Sequence, residues 1–162
     1  MPKIVTHLWF DHQAEEAANF YVSLFKNSRI KATSRYPKSA ESVAGKPAGS
    51  VMTVAFELDG QEFIALNGGP HFKFNEAISL LVECESQAEM DRLWAQLLEG
   101  GGQEQACGWL KDKYGVSWQI SHVALEKLVY DADPGKVDRM MQVMFKMKKL
   151  DVDQLQRVAG AK

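Results

Sequence analysis

The spacing of hydrophobic and polar positions changes period repeatedly along the first 66 residues. Residues 3–10 (KIVTHLWF) form a β-prone run. Residues 14–25 then carry apolar side chains at helical spacing, with Glu15 and Glu16 in the first turn, where the helix dipole favours negative charge. Asp11 and His12 make the turn between them. The pattern predicts a strand at 28–35, then a polar stretch at 37–49 that holds Pro37, Gly45, Pro47 and Gly49 and reads as a mobile loop able to gate a cavity. Strands follow at 50–58 and 61–66. Asp59-Gly60 between them is a hairpin signal, because both central positions of a type I′ turn need positive φ. The order is β-α-β-β-β, and Asn67-Gly68-Gly69-Pro70 ends the module.

The pattern then returns, offset by 73 residues. A strand at 76–83 is followed by a helix at 87–98. Ala17, Tyr21, Leu24 and Phe25 fall on Met90, Trp94, Leu97 and Leu98, matched in expected burial rather than in identity. A twofold-repeated βα unit of this kind is expected to hold a ligand between its copies. Ser86 and Glu89 fit a capping box, and Gly100-Gly101-Gly102 fits a helix stop. Strands at 107–111 and 116–122, hinged at 112–115, complete a second module without the long loop. Beyond His122 the chain turns helical. Asp133-Pro134 reads as an N-cap with proline at the first helical position. Val137, Met140, Met141, Met144, Phe145 and Met147 form an apolar stripe, read as a helix packed on the body or on a partner subunit, with an adaptable ligand surface as the alternative.

Composition narrows the function classes. At 162 residues the chain fits one compact domain, or two small modules sharing a core. A net charge of −2 gives no electrostatic case for nucleic acid or an anionic membrane. No apolar run approaches the roughly 20 residues that span a bilayer. No signal peptide is apparent, so a cytoplasmic location is expected. Cys84 and Cys107 form neither a metal-type pair nor a disulfide framework.

The chain lacks GxSxG, P-loop and HExxH motifs, and no GxGxxG opens a helix after a strand. That counts against a Rossmann-type site for a nucleotide or S-adenosylmethionine. His7, His12, His71 and His122 read as satisfied or solvated histidines ahead of metal ligands. Cys107, with Lys111 and Lys113 nearby, admits a lowered thiol pKa. Alternation, however, places it with Trp109 and Lys111 on one strand face, as a small buried hydrophobe. In 116–122, Val116, Trp118 and Ile120 oppose Ser117, Gln119 and Ser121; in 77–82, Ile78, Leu80 and Val82 oppose Ala77, Ser79 and Leu81. The smaller, more polar face either meets solvent or lines a cavity, and alternation alone leaves both open.

Two β-α-β-β-β modules, ending in a D-x-x-G-x-x-W strand at 112–118, resemble the vicinal oxygen chelate superfamily of glyoxalases, bleomycin-resistance proteins and dioxygenases. LWFDHQAEEAANFYVSLF, LNGGPHFKFNEAISLLVEC, CGWLKDKYGVSWQI and FKMKKLDVDQL resemble its PhnB-like branch, whose members commonly carry a 3-demethylubiquinone-9 3-methyltransferase name. The resemblance implies an α+β fold of two βαβββ modules, at 3–67 and 76–122, within one glyoxalase-like domain (1–162), with a C-terminal helical extension at 123–162. Superfamily enzymes hold a divalent metal through side chains on the concave sheet faces. The resemblance places the corresponding positions at Thr6, one residue from His7, near Ala77, and at Gln119. Thr, Ala and Gln are poor replacements for His, His and Glu, so no metal and no other cofactor is expected.

These readings together point to binding of a small, partly aromatic ligand on the concave sheet. Thr53, Asn67, Ser79 and Gln119 would supply hydrogen bonds and Trp109 a stacking face. The alternatives are a superfamily enzyme of the isomerase, lyase or dioxygenase type, or a methyltransferase-like protein as the family name has it. A structural or sequestering dimer is a third class. A homodimer is expected from the Met-rich stripe and the apolar first strand.

Overall fold

The structure, a computed structural model, describes residues 1–161. It divides into two compact units, Met1–Phe74 and Asn75–Lys162, and Lys162, the last residue of the expected extension, lies outside the described residues.

In the first unit β1 (Thr6–Phe10) leads into α1 (Ala14–Leu24), then β2 (Arg29–Arg35), α2 (Glu41–Ala44), β3 (Val51–Leu58) and β4 (Gln61–Asn67). The sheet order is β1-β4-β3-β2, with β1 parallel to β4 and the other pairs antiparallel. Alternation decides which side is core. Leu8, Phe10, Val54, Phe56, Leu58, Phe63 and Ala65 are buried. They face α1, whose Ala14, Ala17, Ala18 and Tyr21 are fully buried. Small residues at 14, 17 and 18 bring the helix close to the sheet. Tyr21 then reaches Phe56, with ring centres 6.3 Å apart, and Phe56 stacks on Phe63 at 5.4 Å. The hairpin turn is as predicted: Asp59 and Gly60 have φ of 45° and 81°.

The stretch at 37–49 is more ordered than a plain loop. It holds a 3-10 turn at Lys38–Ala40 and the short α2, which Gly45 ends in the left-handed conformation. Its base is closed by Tyr36 N donating to Ser50 O at 2.9 Å and Gly49 N donating to Tyr36 O at 2.8 Å. Within it, Glu41 Oε1 accepts from Ala48 N at 2.9 Å.

In the second unit β5 (Leu80–Cys84) leads into α3 (Gln87–Leu98), then β6 (Gln103–Glu104), β7 (Trp109–Lys111) and β8 (Ser117–His122). The order β5-β8-β7-β6, with β5 parallel to β8, repeats the first sheet. Leu110, Trp118, Ile120 and Cys84 are buried, as are Met90, Leu93, Trp94 and Leu97 of α3, which packs on this sheet. Ser86 caps α3 by accepting from Glu89 N at 3.2 Å; the Glu89 carboxylate accepts from Glu85 N, one residue before the expected partner.

Three details differ from the sequence reading. First, β5 starts at Leu80 rather than at 76, because β8 pairs with it only from Leu80↔Trp118 onward. Asn75 Oδ1 accepts from Ala77 N at 2.9 Å, which turns the preceding segment, and Ile78 is exposed. Consequently the helices superpose at an offset of 73 (Tyr21 on Trp94), but the strands superpose at 74 (Phe10 on Cys84), since the turn before α3 is one residue shorter. Second, the predicted strand at 107–111 covers only Trp109–Lys111. Cys107 and Gly108 are left-handed, with φ of 60° and 79°, and their N–H groups donate to Met147 O and Lys148 O. The expected sharing of one strand face by Cys107 and Trp109 therefore does not occur. Third, β6 is a two-residue strand that no periodicity marks.

The C-terminal helices are α4 (Val123–Val129), α5 (Pro134–Met144) and α6 (Val152–Gly160). Asp133 caps α5 through Gly135 N at 2.9 Å, with Pro134 in the first turn, and Asp151 caps α6 through Gln154 N at 2.9 Å. Met140 and Met144 are buried, and α5 packs on α6, where Leu155 is buried too. Arg139 donates to Val158 O and Ala159 O, closing the last turn of α6. Gln87 ties α3 to this layer by donating to Leu150 O and accepting from Val152 N, each at 3.0 Å. The Met stripe is thus partly buried within its own chain, while Phe145 is 67% exposed. Among the described residues no helix is long and apolar enough to cross a membrane.

Candidate functional site

The second sheet brings three of the five expected site residues together. With Trp118 and Ile120 turned toward the core, Ser117, Gln119 and Ser121 lie on the opposite face of β8. Trp109 stands directly across from Gln119 in the antiparallel β7–β8 ladder, so both side chains project on that face. Gln119 Nε2 donates to Ser79 Oγ at 2.8 Å. Ser79, Trp109 and Gln119 are each half-buried. Lys111 stands opposite Ser117 in the same ladder and forms an ion pair with Glu76, which also accepts from Gln105 Nε2 at 3.3 Å. Glu76 and Lys111 were not expected at a site. Alternation with Trp109 does mark Lys111. Nothing local marks Glu76, whose place depends on where β5 begins.

The remaining two expected residues lie in the first unit and on opposite faces of its sheet. Thr53 points away from α1; its Oγ1 lies 2.5 Å from Ser34 Oγ. Asn67 points to the α1 side. Its Oδ1 accepts from Ala14 N at 2.8 Å and its Nδ2 donates to Val51 O at 3.1 Å. Gln13, the residue at the N-cap, makes no side-chain cap, and Asn67 supplies one from across the sheet. The expectation that Asn67 offers its amide to a ligand beside Thr53 is therefore corrected: β4 runs through Asn67, and parity turns its side chain to the helix. Asn67 borders a cavity of about 380 Å³ with His12, Glu15, Lys46, Pro47, Ser50 and Val51, on that side of the unit.

Register also revises the positions that correspond to a metal site. Thr6 shares the core face of β1 with Leu8 and Phe10, so His7, paired with Ile64, is the residue on the open face. Ala77 precedes β5; the residue that pairs with Gln119 is Leu81. The matched positions are then His7 and Ile64 in the first unit, and Leu81 and Gln119 in the second. Each unit offers one aliphatic side chain, with a single imidazole in the first and a neutral amide in the second, and neither pair fits a divalent cation. Among the described residues no three His, Cys, Asp or Glu side chains gather as a metal site.

Neither thiol is activated. Burial first, and then the Glu89 carboxylate, push the Cys84 thiol up to about 12, and burial raises the Cys107 thiol. At the far end of the first sheet, hydrogen bonds from Lys3 and Lys31 hold the Glu62 carboxyl down at about 2. That pairing is present above the ordinary carboxylate range, and is lost as pH falls through about 2.

Residues 2–121 match the family model described as 3-demethylubiquinone-9 3-methyltransferase. A PhnB protein from Bacillus cereus, given the same methyltransferase name, is 38% identical over 75% of this chain and 100% of its own, with a TM-score of 0.66. A Pseudomonas aeruginosa structure, protein PA1353, is 21% identical over 75% of this chain and 98% of its own, with a TM-score of 0.59; it speaks to the fold alone. A comparison with curated proteins finds no match. The matched segment takes in both βαβββ repeats and stops within β8, so the two sheets carry the relationship and the helices after them do not. On that match the chain, with its paired βαβββ modules, belongs to the 3-demethylubiquinone-9 3-methyltransferase family, in its PhnB-like branch.

Proposed function

We propose that this protein binds a small, partly aromatic molecule on the face of the second sheet that presents Trp109, Gln119 and Ser79. The observation that carries this reading is the Gln119–Ser79 hydrogen bond set directly beside Trp109 on a half-buried face. An indole offers a large stacking surface, while an amide and a hydroxyl that already orient each other can turn their remaining capacity to a ligand. In the first unit the Ser34–Thr53 hydroxyl pair is a comparable polar point on the face away from α1.

Binding without catalysis is favoured over isomerase, lyase, dioxygenase or methyltransferase chemistry. Both thiols are held protonated. The buried carboxylate of Asp112 is engaged by backbone and indole N–H groups. Of the matched metal positions only His7 offers a strong donor, and no nucleotide-binding fingerprint serves S-adenosylmethionine. We further propose a cytoplasmic homodimer, with exposed Ile4 and Phe145 as apolar contacts.

Native mass spectrometry of the untagged protein tests these points together. The expected spectrum shows a dimer carrying a co-purified organic mass and no divalent metal. A metal-loaded species at one equivalent per chain would contradict the reading and favour the enzyme alternative.

A further inference from the structure

The Trp109–Gln119 face has a charged end. Lys111 lies two residues beyond Trp109 on β7, about 6.6 Å along the strand. Its side chain is 27% exposed and its ammonium is held by Glu76. Glu76 belongs to no strand: it sits in the turned segment before β5, with its side chain 48% exposed. Lys111 holds the Glu76 carboxyl below the usual carboxylate range. Ser117, opposite Lys111 on the same face, is 1% exposed, and its Oγ finds no hydrogen-bond partner among the described residues.

The geometry points to Lys111 as the residue that selects an aromatic carboxylate for this face, with Glu76 as a tethered carboxylate that occupies the cation until the ligand's own replaces it. This rests on the small-molecule reading of the face. The class of anion follows from what is present. Lys111 is one point charge, and the carboxylate already seated there shows which group fits. The cluster contains no arginine fork of the kind that grips phosphate bidentately. Lys111 and Trp109 share a face two residues apart, so a ring stacked on the indole has the ammonium on its own side of the sheet. A half-exposed ion pair gains little over two hydrated ions, so the exchange of Glu76 for a ligand is close to balanced, and stacking on Trp109 tips it.

The test titrates the full-length protein with benzoate and with benzamide, its neutral isostere, following the Gln119 amide and the Trp109 indole signals by NMR. Benzoate is expected to bind at least tenfold more tightly than benzamide. Glu76→Gln should tighten benzoate severalfold and leave benzamide unchanged. Lys111→Met should bring benzoate down to the benzamide level, while Lys111→Arg keeps the preference. Equal affinities in the wild type, a preference that survives Lys111→Met, or weaker benzoate binding in Glu76→Gln would each overturn the inference. If benzamide moves both signals and benzoate has no advantage, the face is a binding site without carboxylate selection. If neither probe moves them, the site and the inference fall together.

Discussion

Replacing Asp112 with alanine is expected to be the most damaging single change in the second unit. Asp112 is 3% exposed and knits the corner between β7 and β8. Its Oδ1 accepts from Tyr114 N at 2.8 Å and from Val116 N at 3.1 Å, and its Oδ2 accepts from the Trp118 indole N–H at 2.9 Å. Gly115, at φ of 88°, lets the chain reverse inside this ring of bonds. Alanine leaves three donors without this acceptor. At about 1–3 kcal/mol for each unsatisfied buried group, less the cost no longer incurred of burying a carboxylate, the net loss is about 3–5 kcal/mol. Asparagine keeps one oxygen but turns an NH₂ toward one of the donors, so Asp112→Asn should lose about 1–3 kcal/mol. Urea unfolding followed by near-ultraviolet dichroism of Trp118 reads both effects. A loss under about 1 kcal/mol for Asp112→Ala would show that the corner is held by other bonds.

The second large effect is expected at Gly68. The Trp9 indole lies across this residue and donates Nε1–H to Gly69 O at 2.9 Å, while Phe72 packs edge-on against it with ring centres 4.8 Å apart. A Cβ at position 68 would overlap the indole ring. Glycine is needed here for the close approach, since its φ is ordinary. Gly68→Ala must push Trp9 out of its hydrogen bond and off Phe72, an overpacking cost of about 1–3 kcal/mol. Trp9→Ala alone loses the contacts but opens the space. In the double variant the alanine at 68 should therefore cost almost nothing further. A double-mutant cycle on melting temperature reads that coupling. Additive losses would mean that the indole moves aside freely.

Both helices that cover the sheets were legible because period and punctuation agree. In 87–98 the apolar positions repeat at helical spacing between Ser86, which caps, and the glycines that follow. Strand ends were less legible. Ile78 reads as strand in isolation, yet its exposure follows from where β8 starts to pair, which is a long-range fact. Cys107 and Gly108 leave the extended region because their N–H groups are taken by Met147 and Lys148, some forty residues on.

The site shows the same division. Alternation puts Gln119 on the polar face of its strand, and the β7–β8 register sets Trp109 opposite it. The placing of Asn67 does not follow from alternation, because one more residue of β4 decides which side it faces, and a slip of one reverses it. The same parity exchanges Thr6 for His7 on the open face of β1. The Glu76–Lys111 pair was hidden, since a turn outside the ladder supplies one member.

Gln119 is proposed to serve a ligand rather than the core. This role is tested most directly by comparing Gln119→Ala with the wild type in two readouts, ligand occupancy in native mass spectra and melting temperature. Binding of the co-purified molecule is expected to weaken by roughly 1 kcal/mol, the net value of one hydrogen bond, while the melting temperature stays put. An unchanged occupancy together with a sharp fall in melting temperature would contradict it, and would make the Gln119–Ser79 bond a structural tie.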